Sequence, residues 1–131
     1  MRKALAYAWQ LPQNLLGFLL SKVYRIIETF ELDGVQVHTT RSIFGGLSLG
    51  DHMFIRPKAS GAVDSLDIRH EYGHCLQSRR LGWLYLPTVG LVSGIRAGLG
   101  LYRKGHYYDC WPENWADKLG GITIKDGRRH V

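Results

Sequence analysis

The sequence predicts an α+β fold, and three observations carry that prediction. Two short stretches alternate in polarity as strands do and are joined through glycines. A long segment of helical character follows them, and a second, shorter one lies near the C-terminus. The expected architecture is a small antiparallel sheet packed on these helices. At 131 residues the chain has room for one core, so residues 1–131 are read as a single domain.

Taken in order, residues 14–31 read as an amphipathic helix. Leu15, Leu16, Leu19, Val23, Ile26, Ile27 and Phe30 fall at three-and-four spacing, with Asn14 as N-cap. Asp33-Gly34 signals a turn. Residues 35–39 alternate as a strand, and residues 47–56 do so more loosely after Gly45-Gly46, ending at Pro57. A helix is expected over 62–81, with Ser60 or Asp64 as cap and Gly82 as its stop. Residues 83–102 are the most apolar part of the chain. Their length approaches a bilayer's thickness, but Pro87 and Arg96 weigh against insertion. Gly90, Gly94 and Gly98 lie four apart, so this segment is expected to pack closely on the preceding helix, with peripheral membrane contact through 83–102 left open. A short helix Glu113–Leu119 closes at Gly120-Gly121. Residues 122–124 could form a terminal strand, and the polar tail 125–131 is expected to fray.

The formal net charge of +6 favours anionic partners, yet the basic residues are scattered in pairs with no basic helix, so no nucleic-acid partner is expected. Two cysteines, Cys75 and Cys110, cannot make a disulfide framework and are read as reduced thiols. Gln10, Pro12, Gln13 and Asn14 interrupt the apolar run after Met1-Arg2-Lys3, so no cleaved signal is expected and a cytoplasmic location is favoured.

The chemistry concentrates in His70-Glu71-Tyr72-Gly73-His74. Histidines four apart on a helix project from one face and can share a tetrahedral Zn²⁺, while Glu71, one position round, can act on a water without becoming a ligand. One zinc ion is the expected cofactor. Gly73 costs about 1 kcal/mol relative to alanine inside a helix, which asks for a close neighbour there. Glu113 is the best candidate for a third ligand. Asp117, four residues on, could accept from the outer nitrogen of a ligating histidine and fix its tautomer. Cys110 is the competing ligand and would make a softer, more closed site; Cys75 should point away from the ligand face. His106, Tyr107 and Tyr108 are candidate donors to a developing oxyanion, with nothing in the spacing to choose among them. His38, His52 and His130 have no evident partner.

His70-Glu71-Tyr72-Gly73-His74 followed by Glu113-Asn114-Trp115-Ala116-Asp117 resembles the gluzincin pattern of thermolysin-like zinc metallopeptidases. The wider context also resembles short bacterial proteins with a zincin-like core. The resemblance covers about a dozen positions and lacks the metzincin histidine. It implies a minimal zincin-like hydrolase: zinc on His70, His74 and Glu113, Glu71 as general base, and a peptide or protein substrate lying along the strand within 47–55. Its rival is a non-catalytic zinc-binding domain serving protein or membrane-surface interaction.

Overall fold

A computed structural model describes residues 2–100 and 107–131, and its architecture is α+β. Helices α1 (Arg2–Trp9) and α2 (Leu11–Val23) lead into strands β1 (Ile26–Leu32), β2 (Val35–Thr40), β3 (Gly46–Leu49) and β4 (His52–Ile55). Helix α3 (Ser65–Leu81) is followed by a 3₁₀ turn (Gly82–Leu84), a π-helical turn (Leu86–Gly90) and α4 (Leu91–Gly98). A 3₁₀ turn at Tyr107–Asp109 precedes α5 (Glu113–Leu119), and β5 (Thr123–Lys125) and β6 (Arg128–His130) complete the order.

The four-stranded sheet runs β1-β2-β4-β3. It is mixed and not wholly antiparallel, because β2 and β4 pair parallel, Gln36 opposite His52 through Thr39 opposite Ile55. The expected single strand over 47–56 is a hairpin. Gly50, at φ 66°, turns the chain so that β3 and β4 pair antiparallel. Side-chain alternation then gives the sheet two covered faces. Val35, Val37, Met53 and Ile55 pack with Cys75 of α3 in the core. On the other face, Phe54 meets the Tyr24 ring edge-on, and a Cβ on Gly17 of α2 would strike His52.

The helix expected over 14–31 ends at Val23, where Tyr24 turns to an extended conformation (φ −73°, ψ 149°). Ile26, Ile27 and Phe30 suit either period, and β-branched and aromatic residues settle into a strand once β2 offers hydrogen bonds. Asn14 is no N-cap: it lies inside α2, where its Oδ1 accepts from Asp51 N at 2.7 Å. Helix α3 begins at Ser65, three residues later than expected, capped by Asp64 through Leu66 N at 2.8 Å. It stops at Gly82 (φ 56°). The apolar stretch from 83 breaks at the π-helical turn, and residues 101 and 102 lie outside the described residues. Gly94 and Gly98 have open space where a Cβ would stand, so the glycine stripe does not pack on α3. Among the described residues no helix is long and apolar enough to cross a membrane. The tail does not fray. It forms the hairpin β5–β6, anchored by Arg129 on Asp117.

Candidate metal centre

Helices α3 and α5 cross at two glycines. A Cβ on Gly73 would lie 2.5 Å from the carbonyl carbon of Ala116 and 2.9 Å from its Cα, and one on Gly120 would lie 2.7 Å from the carbonyl carbon of Arg69. Backbone therefore rests on backbone, which brings Glu113 and Asp117 of α5 within reach of the two α3 histidines.

Glu113 Oε2 stands 2.9 Å from His70 Nε2 and 3.0 Å from His74 Nε2, and the two Nε2 atoms are 3.2 Å apart. All three residues are buried. The outer nitrogens are occupied: His70 Nδ1 is 2.7 Å from Asp117 Oδ1, and His74 Nδ1 is 2.7 Å from Gln77 Oε1. A carboxylate only accepts, so His70 donates through Nδ1. The Gln77 amide nitrogen donates to the Pro112 carbonyl at 2.9 Å, which aims its oxygen at His74 and makes that histidine an Nδ1 donor as well. With both histidines neutral, two Nε2 lone pairs and a carboxylate oxygen converge on one point with no donor among them. A cation bound between them relieves that arrangement, and without one a second proton on His70, shared from Nε2 to Glu113, does the same. Ligand atoms about 2.05 Å from one centre at tetrahedral angles stand about 3.3 Å apart, close to the separations here. The residues present fit a metal ion.

The acids around the histidines favour a positive charge at this point, whether a metal ion or a proton. Burial lowers the pKa of His70, but hydrogen bonds to Asp117 and Glu113 outweigh it and raise the group to about 9. Burial pushes Glu113 up, yet its bonds to His70 and His74 hold it well below the usual carboxylate range. Asp117 is likewise lowered against its own burial, by His70 and by Arg129, which grips both its oxygens at 2.6 and 2.8 Å. The Ser93 hydroxyl donates to the second oxygen of Glu113.

Among the described residues this is the group of three His, Cys, Asp or Glu side chains placed to hold a metal. The competing ligand Cys110 is exposed and outside it. Cys75 is buried in the core, where burial raises its thiol to about 12.

Glu71 is also buried, with Ser48 of β3 donating to its Oε2 at 2.6 Å and to its backbone carbonyl at 2.9 Å. The Ser48 carbonyl in turn accepts from the Tyr85 hydroxyl at 3.1 Å. These bonds tie the Glu71 carboxylate to the edge of the sheet. A cleft of about 600 Å³ opens beside it, floored by His70, Glu71 and His74. Phe44, Leu47 and Ser48 form one wall, and Leu86, Gly90, Gly94 and Ala97 the other. Gly90 and Gly94 leave their part of that wall without side chains.

Of the three oxyanion candidates, His106 and the side chain of Tyr107 lie outside the described residues. Tyr108 lines the cleft, its ring edge-on to His70 with centroids 5.0 Å apart and the Arg129 guanidinium carbon 3.6 Å from the ring centroid. Burial raises its pKa, so its hydroxyl keeps its proton. His38 and His52 do have partners. They stack, with His38 Nε2 3.2 Å from His52 Nδ1, and Thr29 contacts His38 Nδ1 at 2.9 Å. Sequence reasoning missed Gln77, Ser48, Ser93 and Arg129. Only Gln77 carried a local signal, three residues after His74 on the same helix.

Comparison with protein-family models, curated proteins and solved structures yields no match to this chain.

Proposed function

We propose that this chain is a zinc-dependent peptidase that hydrolyses peptide bonds with Glu71 as general base. The observation that supports it most is the buried Glu71 carboxylate, held by Ser48 on the floor of a cleft it shares with His70 and His74. His70, His74 and Glu113 would hold the ion, and two histidine nitrogens with one carboxylate oxygen favour zinc among the common ions. Bound there, zinc supplies Lewis-acid chemistry that lowers the pKa of water toward neutrality.

The protein's own residues do the rest. Glu71 accepts a proton from the attacking water and returns it to the leaving amine, while Ser48 keeps the carboxylate aimed into the cleft. Tyr108 donates to the developing oxyanion. Strand β3 ends the sheet, and its unpaired side takes an extended peptide by backbone hydrogen bonds, with little demand on sequence. The apolar walls at Phe44, Leu47 and Leu86 favour apolar side chains next to the scissile bond.

Glu71→Gln is the test. It should retain zinc and melting temperature while turnover of a mixed peptide library falls by about 10²-fold or more. No turnover by the unsubstituted zinc-loaded chain would overturn the peptidase reading and leave a metal-stabilised binding domain.

A further inference from the structure

Helix α2 is inside out. Its buried positions are Gln13, Asn14 and Gly17, while Leu15 and Leu19 are each 51% exposed and Val23 is 74% exposed. Leu11, Leu16 and Phe18 are exposed too. A helix free to roll would turn these residues inward, since apolar burial is the dominant drive. This one cannot roll. Gln13 Nε2 donates to Ser78 Oγ at 2.9 Å and to the Gly82 carbonyl at 2.7 Å. Ser78 Oγ donates to Gln10 Oε1 at 2.6 Å, and Asn14 Oδ1 receives Asp51 N. Rolling α2 would strand these buried amides and hydroxyls without partners. The apolar face is thus fixed outward by specific bonds.

Its surroundings identify what covers it. Helix α1 has no buried residue and continues the surface. Trp9 and Trp83 donate their indole N–H groups to carbonyls of the chain itself, those of Arg79 and Ala8, and leave half-exposed rings beside α2. Residues 1–27 contain Arg2, Lys3, Lys22 and Arg25 and no Asp or Glu. An apolar helical face with tryptophans, in a segment whose only charged side chains are basic, matches the interface of an anionic bilayer, where aromatic rings sit at headgroup depth and basic side chains reach the phosphates. A second copy of this chain would bring one basic segment against another.

We propose that the outward face of α1 and α2 docks this protein on anionic membranes as a peripheral, non-spanning contact. The inference stands apart from the peptidase reading, since it uses none of the residues at the metal centre.

The experiment is co-sedimentation of the zinc-loaded chain with vesicles of phosphatidylcholine alone and of phosphatidylcholine with 30% phosphatidylserine. Binding is expected to the mixed vesicles, weaker on pure phosphatidylcholine, and reduced by about tenfold on going from low to high salt. Leu15→Gln/Leu19→Gln should cut binding by about tenfold or more with zinc content and circular dichroism unchanged. Lys22→Gln/Arg25→Gln should flatten the salt dependence. Failure to bind either vesicle, equal binding to both, or binding unmoved by the leucine substitutions would each overturn the proposal. So would concentration-dependent dimerisation that Leu15→Gln/Leu19→Gln abolishes, which would assign the face to a second copy.

Discussion

Gly73→Ala tests the crossing that builds the metal centre. On an ordinary helix the change would stabilise by about 1 kcal/mol. Here the added methyl would sit 2.5 Å from the Ala116 carbonyl carbon, where carbon atoms normally rest about 3.5 Å apart or more. The obstacle is backbone, so α5 must retreat by about 1 Å. Glu113 lies on the same helix one turn before Ala116 and moves with it, whereas metal–ligand distances tolerate about 0.2 Å. Overpacking of this kind costs about 1–3 kcal/mol, and a carbonyl as obstacle places it at the upper end. The expected net loss is about 2 kcal/mol, roughly 6–10 °C in melting midpoint for a chain of this size. Zinc affinity should fall about 10- to 100-fold. Calorimetry with chelator reads the first effect, and zinc competition against a chromophoric chelator reads the second. Gly120→Ala presses on the same interface from α5, so the double variant should lose less than the two single losses combined. An apo midpoint at or above that of the unsubstituted chain, with zinc affinity unchanged, would refute the backbone interlock.

Three further outcomes follow from the same geometry. Arg129→Gln frees Asp117 to drift from His70 and should weaken zinc binding about 10-fold, read by the same chelator competition. Ser48→Ala unties Glu71 and should lower kcat with zinc content unchanged; equal loss of zinc would place Ser48 in the metal centre instead. Burial chiefly lowers the pKa of both His38 and His52, joined for His38 by the charges of His52 and Lys22 and opposed for His52 by Asp51, so between their folded values and about 6.5 the unfolded chain binds more protons. Their contribution to stability is present above pH 6.5 and lost as pH falls through the folded values. His38→Gln should therefore reduce the drop in melting midpoint between pH 7 and 5, measured as the difference from the unsubstituted chain.

The grouping of His70, His74 and Glu113 was largely legible because its logic is helical. A four-residue spacing puts His70 and His74 on one face wherever the helix lies, and the same spacing sets Asp117 behind Glu113. Gly73 announced a close neighbour before that neighbour was known. What escaped depends on distant partners. Nothing local tells that Arg129, in a polar tail, meets Asp117, or that Ser48 meets Glu71 across the sheet. The orientation of α2 was hidden for the same reason. Its leucines fit a core-facing stripe, and only Ser78, Gly82 and Asp51 show that its amides are the buried side. The boundary between α2 and β1 was lost because Ile26, Ile27 and Phe30 satisfy both periods.

Strand β3 ends its sheet with four residues, Gly-Leu-Ser-Leu, that carry neither charge nor proline. Natural edges are usually blunted by one or the other to discourage pairing with stray strands. This edge is kept short instead, and it adjoins the cleft. Two copies joined edge to edge would each obstruct the other's cleft. The proposed peptidase activity per molecule should then fall as protein concentration rises, and dilution should restore it.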